Sequence, residues 1–184
     1  ARQFQEDNDL PFSFPADVEK EIVPMQEPEE KDFSGRKDYR HLSILCIDPK
    51  GARDHDDAVS IEKIRDGWML GVHIADVSYY VKEGGPLDNE ALERSFTQYL
   101  PWVAIPMLPE KLSAELCSLN EGVDRLAFTC MMKLDEKGRV VRYAFERSVI
   151  RVTRSITYEE AMELYERKDP EVVNLCTVAR LLKA

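Results

Sequence analysis

Four aspartates, Asp48, Asp54, Asp56 and Asp57, fall within ten residues of the stretch ILCIDPKGARDHDDAVS, which runs from Ile44 to Ser60. Carboxylates held that close in a folded chain repel one another, and some of their pKa values rise unless a cation sits among them. A donor set made of carboxylate oxygens suits Mg²⁺ or Mn²⁺, which keep several waters and bind substrate phosphates at their remaining positions. The functional reading is a metal site for phosphate-ester chemistry. An acidic, solvated turn has the same composition, and spacing alone does not separate the two. An EF-hand is a poor match, because the segment from Asp54 lacks the acidic residue at its fifth position and the glycine at its sixth.

A phosphodiester is anionic, so an attacking hydroxide needs that charge neutralised and the leaving 3′-oxygen stabilised. Two divalent ions about 3.5–4 Å apart can do both. Asp48, Asp54 and Asp57 are the candidate ligands. Asp56 is assigned to the nucleophilic water, to a second metal, or to both. Neighbouring side chains of an extended segment point opposite ways, so bringing Asp56 and Asp57 to one site requires irregular backbone there.

The elements that must position these groups are legible around them. Apolar runs at Leu42–Ile47 and Ala58–Ile64 are of strand length, and Pro49 and Gly51 supply the turn between them. Trp68–Ile74 resumes after the turn Arg65–Asp66–Gly67, so residues 58–74 read as a β-hairpin. A second hairpin joins Leu126–Leu134 to Arg139–Arg151 through Asp135–Gly138. Helices are expected at Asn89–Thr97, capped by Asp88 with Ala91, Leu92 and Phe96 inward, and at Glu110–Leu119. Two more follow at Tyr158–Arg167, capped by Thr157, and at Glu171–Lys183, opened by Pro170. Between Tyr99 and Pro109 three prolines and two aromatics make a stiff, irregular segment. No G-x-G-x-x-G follows a strand. The fold class is α/β (α+β), with a mixed, largely antiparallel sheet and packed helices.

Several blocks in order carry a family resemblance. I-D-P-x-G-A-R-D-x-D-D-A-V, VHIADVSYYV, QYLPWVAIPMLPEKLSAELCSLN and GVDRLAF together resemble the catalytic (RNB) domain of the RNase II/RNase R exoribonuclease family, from about Phe14 onward. One departure lies in the key loop, where His55 replaces a more usual aromatic or aliphatic residue. The resemblance implies a processive, metal-dependent 3′→5′ hydrolase of single-stranded RNA that releases nucleoside 5′-monophosphates. It implies that Tyr99 is the base-stacking tyrosine near the RNA 3′ end and that Tyr158 is a second aromatic on the RNA path; from the residues alone, Tyr99 reads rather as a core tyrosine with its hydroxyl satisfied, and Tyr158 equally as a packing tyrosine at a helix start. It further implies that residues 1–40 lead in from RNA-binding barrels and that residues 41–184 are the N-terminal part of the catalytic domain. On that reading the chain is a fragment with little turnover of its own. The phosphate-clamping arginine and a downstream acidic residue of the family are then expected outside it, with the rest of the catalytic domain and the RNA-binding domains as partners. The alternative is a truncated, non-hydrolytic module that binds RNA or metal.

Composition limits the rest. With 184 residues, 43% hydrophobic and 33% charged, the chain has material for one domain. No apolar run approaches the roughly 18 residues of a membrane span, and the acidic N-terminus is no signal peptide. Cys46, Cys117, Cys130 and Cys176 lack short-range spacing and read as reduced core residues of a cytoplasmic protein. A net charge of −10 is unusual for a nucleic-acid binder, although a metal-loaded acidic site inverts the local sign. Arg142, Arg147, Arg151 and Arg154 form the most basic part, either tracking phosphates or solvating a strand face. His73 is expected as a hydrogen-bonded core residue. Asp76 reads equally as a partner to the metal loop or as the cap of the next turn.

Overall fold

A computed structural model of the chain describes residues 13–101 and 103–183. Trp102, one of the two expected aromatics of the proline-rich segment, lies outside the described residues, as do residues 1–12 of the lead-in. Among the described residues the strands are β1 (Lys37–Asp38), β2 (Leu45–Asp48), β3 (Asp57–Ile64), β4 (Gly67–Ala75), β5 (Gln98–Leu100), β6 (Val103–Ile105), β7 (Asp124–Leu134), β8 (Val140–Arg151) and β9 (Arg154–Thr157). The helices are α1 (Ala16–Ile22), α2 (Pro86–Arg94), α3 (Tyr158–Glu166) and α4 (Pro170–Lys183).

Seven strands make one sheet in the order β1-β8-β7-β4-β3-β2-β9. Both expected hairpins, β3–β4 and β7–β8, are present, and β4 joins them by pairing antiparallel with β7. The only parallel pairs among the described strands are β1 with β8 and β2 with β9. The sheet is thus mixed and largely antiparallel, as the hairpin pattern predicts. The turn joining β7 to β8 needs Gly138 twice over: its φ is +79°, and a Cβ there would stand 2.7 Å from Leu181 Cβ.

Helices cover both faces. On one, Val18 and Ile22 of α1 and Leu87 and Ala91 of α2 pack with Ile44, Cys46, Ala58, Ala127 and Ile150. On the other, Val178 and Leu175 of α4 lie against Trp68, Leu70 and Leu134. Burial of these side chains, at about 1.5–3 kcal/mol for each large one, holds the platform on which the aspartate loop stands. The segment before residue 41 belongs to the same packed unit: Val18 and Ile22 are buried, β1 extends the sheet, and Arg36 pairs with buried Asp76 at 2.7 Å.

Three local expectations need correction. The helix expected at Asn89–Thr97 is α2 at Pro86–Arg94, because Pro86 presets the first helical turn and Ser95, at φ +66°, ends it. Asp88 accepts the Gly84 N–H at 2.8 Å and does not sit at the cap position, while Leu92 and Phe96 are exposed and Leu87 takes their place in the core. The segment after Phe96 is more ordered than expected, since β5 and β6 form a small antiparallel sheet of their own. The expected helix at Glu110–Leu119 is a π-helical turn over Lys111–Leu116, although Leu112, Leu116 and Leu119 are buried as predicted.

Candidate active site

Strand β2 ends at Asp48, and the chain then turns: Pro49 C=O accepts the Ala52 N–H at 3.1 Å, with Gly51 at φ +85°. Residues 52–56 have no regular structure, and β3 begins only at Asp57. This is the irregular backbone that bringing Asp56 and Asp57 together requires. Distant residues hold the loop from both sides. The His55 N–H reaches Ser118 Oγ at 3.2 Å, the Leu119 N–H donates to His55 C=O at 2.9 Å, and Ser118 Oγ–H donates to Arg53 C=O at 2.9 Å. On the opposite side the Ala75 N–H donates to Asp56 C=O at 2.9 Å.

All four aspartates line one cleft of about 670 Å³, and Tyr99, Ala104, Glu110, Lys50 and Arg53 line it with them. Partial desolvation by the surrounding protein and then the charges of Asp54, Asp57 and Asp48 push the Asp56 pKa up. Carboxylate oxygens are the donors that Mg²⁺ and Mn²⁺ prefer, so Asp48, Asp54, Asp56 and Asp57 are the cleft residues that could hold such an ion.

Tyr99 is carried by β5 and lines the cleft. The residue is 72% exposed, and its hydroxyl donates to Asp54 Oδ2 at 2.7 Å. That bond, with desolvation, raises the hydroxyl pKa to about 12. Tyr158 begins α3 directly after Thr157, the register partner of Asp48 in the parallel β2–β9 pair. Parallel pairing puts both C-terminal strand ends on one edge, so the aspartate loop and the exposed Tyr158 leave the sheet together. Tyr158 itself is outside the set of residues lining the cleft.

Two neighbours of Asp48 escaped the spacing argument. His55 Nδ1 lies 2.7 Å from Asp48 Oδ2, and the Cys46 thiol lies 2.9 Å from the same oxygen. Reading Cys46 as a core residue holds for its burial, but its sulfur also touches the site. Its ligand atom, with those of Asp48 and His55, lies within a 4.8 Å cluster. Burial pushes the Cys46 thiol pKa well up, which keeps it protonated and a hydrogen-bond donor. The visible signal for His55 was its departure from the family pattern.

Other expectations resolve away from the cleft. His73 is fully buried, with Nε2 3.0 Å from Ser60 Oγ and Nδ1 2.8 Å from Thr129 Oγ1, and burial lowers its pKa to about 4. Asp76 accepts from Ser78 Oγ–H at 2.7 Å and pairs with Arg36. Burial opposes its charge, and those two partners outweigh burial to keep its pKa low. Arg151 pairs with Asp124, and Arg154 with Asp169 and Glu171, so those two cations are engaged within the domain.

Comparison with known proteins places this geometry. The family model described as RNB domain matches residues 36–183. Ribonuclease R of Aquifex aeolicus is 48% identical over 173 residues, which cover 89% of this chain and 24% of the relative. Among solved structures, Mycoplasma genitalium RNase R in complex with double-stranded RNA superposes with a TM-score of 0.85 at 28% identity, covering 98% of this chain and 33% of that one. The yeast pseudonuclease Ssd1 shares the fold at a TM-score of 0.75 and 21% identity, covering 84% of this chain and 20% of its own. The chain spans about a quarter of the length of the ribonuclease R relative from Aquifex aeolicus.

Proposed function

The chain belongs to the RNB domain family, and on that premise we propose that it carries the metal-binding side of a 3′→5′ exoribonuclease site. The substrate is single-stranded RNA and the products are nucleoside 5′-monophosphates. The observation that carries this reading is that Asp48, Asp54, Asp56 and Asp57 all line one cleft, with the exposed Tyr99 tethered to Asp54 through its hydroxyl. Asp48, Asp54 and Asp57 hold Mg²⁺ or Mn²⁺. Bound there, the ion would offset phosphate charge and stabilise the leaving 3′-oxygen. Asp56 orients the attacking water and takes up its proton.

Tyr99 presents its ring face to the 3′-terminal base, and Tyr158 supports the strand further along the same edge. That the Mycoplasma genitalium relative is described bound to RNA supports RNA as the ligand class. Since the chain spans a fraction of its relatives' length, further grip on RNA is assigned to polypeptide outside these 184 residues. The four cysteines are unpaired with one another, which suits the cytoplasmic setting proposed for the protein. No helix among the described residues is long and apolar enough to cross a membrane.

The test is a 5′-labelled single-stranded oligoribonucleotide incubated with the full-length protein and Mg²⁺. A ladder that shortens from the 3′ end and vanishes with a chelator is expected. Internal cuts, or the same ladder with the chelator present, would contradict the reading. Metal binding without any cleavage would favour a non-hydrolytic module, a role open to this fold because fold alone does not fix function.

A further inference from the structure

The two oxygens of Asp48 are not equivalent. Oδ2 has two partners, His55 Nδ1 at 2.7 Å and the Cys46 thiol at 2.9 Å, whereas Oδ1 has no protein hydrogen bond among the described residues. We propose that His55 is a positioning residue: by donating its Nδ1–H to Oδ2 it fixes the plane of the Asp48 carboxylate and leaves Oδ1 as the one oxygen offered to a divalent cation. The inference rests on the reading of the cleft as a cation site, and it goes further by making Asp48 a one-oxygen ligand.

The imidazole can do this because it is itself held. The His55 backbone N–H bonds to Ser118 Oγ, its carbonyl accepts from Leu119 N–H, and its side chain is 14% exposed. Ser118 is fully buried and fixes Arg53 C=O as well, so the loop cannot swing without breaking several bonds at once. A ligand carboxylate fixed in this way gives up little rotational freedom when a cation binds, and losing such a supporting partner typically weakens metal affinity about 10–100-fold. The Cys46 thiol, a weaker donor, supports the same oxygen without replacing the imidazole.

The experiment is titration of Mn²⁺ into the full-length protein without RNA, followed by calorimetry and by the paramagnetic signal of free ion. Wild type, His55→Leu, His55→Asn and Asp48→Asn are compared. His55→Leu removes the donor and is expected to weaken Mn²⁺ binding about ten-fold or more. His55→Asn places an amide N–H close to where Nδ1 stands and is expected to recover most of that loss. Equal affinity in wild type and His55→Leu, with affinity lost in Asp48→Asn, would overturn the positioning role and leave the cation site standing. No Mn²⁺ binding by wild type would remove the cation site, and the positioning role with it. Nitrogen-15 NMR of the wild-type ring decides the matter without any variant. Protonated Nδ1 is expected, and a ring carrying its proton on Nε2 alone would overturn the proposal.

Discussion

Tyr99 combines two demands that a single side chain rarely meets together, an open ring face and a fixed hydroxyl. The hydrogen bond to Asp54 sets the ring beside the carboxylates, and the exposed face remains free for a base. Base–aromatic stacking is worth about 1–3 kcal/mol, so Tyr99→Ala is expected to lengthen the limit product by releasing the 3′ end early. Product sizing on a sequencing gel checks this, and an unchanged limit product would remove Tyr99 from the 3′ end. At this scale the sequence was informative where chemistry is local. The four aspartates lie within ten residues, and the turn with Pro49 and Gly51 leaves all four lining one cleft. The contact between His55 and Asp48 was not legible, because the backbone that delivers the imidazole is held by Ser118 and Leu119, more than sixty residues away in the chain.

The elements owe their placement to buried polar links as much as to apolar packing. Arg36, just before β1, reaches Asp76 at the end of β4, and their side chains are 7% and 4% exposed. Arg36→Met would strand a buried carboxylate, and an expected loss of about 3–5 kcal/mol should appear in urea unfolding. A change under 1 kcal/mol would mean that Asp76 finds water or another donor. His73 links β3, β4 and β7 through Ser60 and Thr129. Unfolded, it takes up a proton near 6.5; folded, only near 4, because burial disfavours the imidazolium. Between these values the unfolded state binds more protons, so this contribution is complete above pH 6.5 and fades as pH falls toward 4. Relative to His73→Gln, the wild type should therefore lose on the order of 3 kcal/mol over that window. Parallel stability curves for the two proteins would contradict the assignment. The hairpins were readable from alternation and turn residues. The start of α2 was not, because Pro86 and Asp88 both signal a helix start and only packing of Leu87 decides between them.

Over the whole molecule, the sheet order explains why the site sits where it does. Strand β2 lies between antiparallel β3 and parallel β9, so three segments, the aspartate loop, the start of β3 and the start of α3, meet at one edge. That edge collects negative charge in a chain whose net charge is already −10, a cost that the divalent ion proposed for the cleft would offset. Local signals could announce the strands but not the β2–β9 pairing, which joins residues more than one hundred positions apart. The central claim is that the four carboxylates act on the reaction more than on holding RNA. RNA affinity comes mainly from phosphate neutralisation and stacking, whereas Asp56, in the role proposed for it, would act on charge that develops in the transition state. The direct measurement compares wild type and Asp56→Asn in the full-length protein, reading cleavage of a labelled oligoribonucleotide and its dissociation constant under the same salt and Mg²⁺. Cleavage is expected to fall by about 10²–10³ or more with affinity within a few-fold of wild type; loss of affinity in step with loss of cleavage would contradict the account.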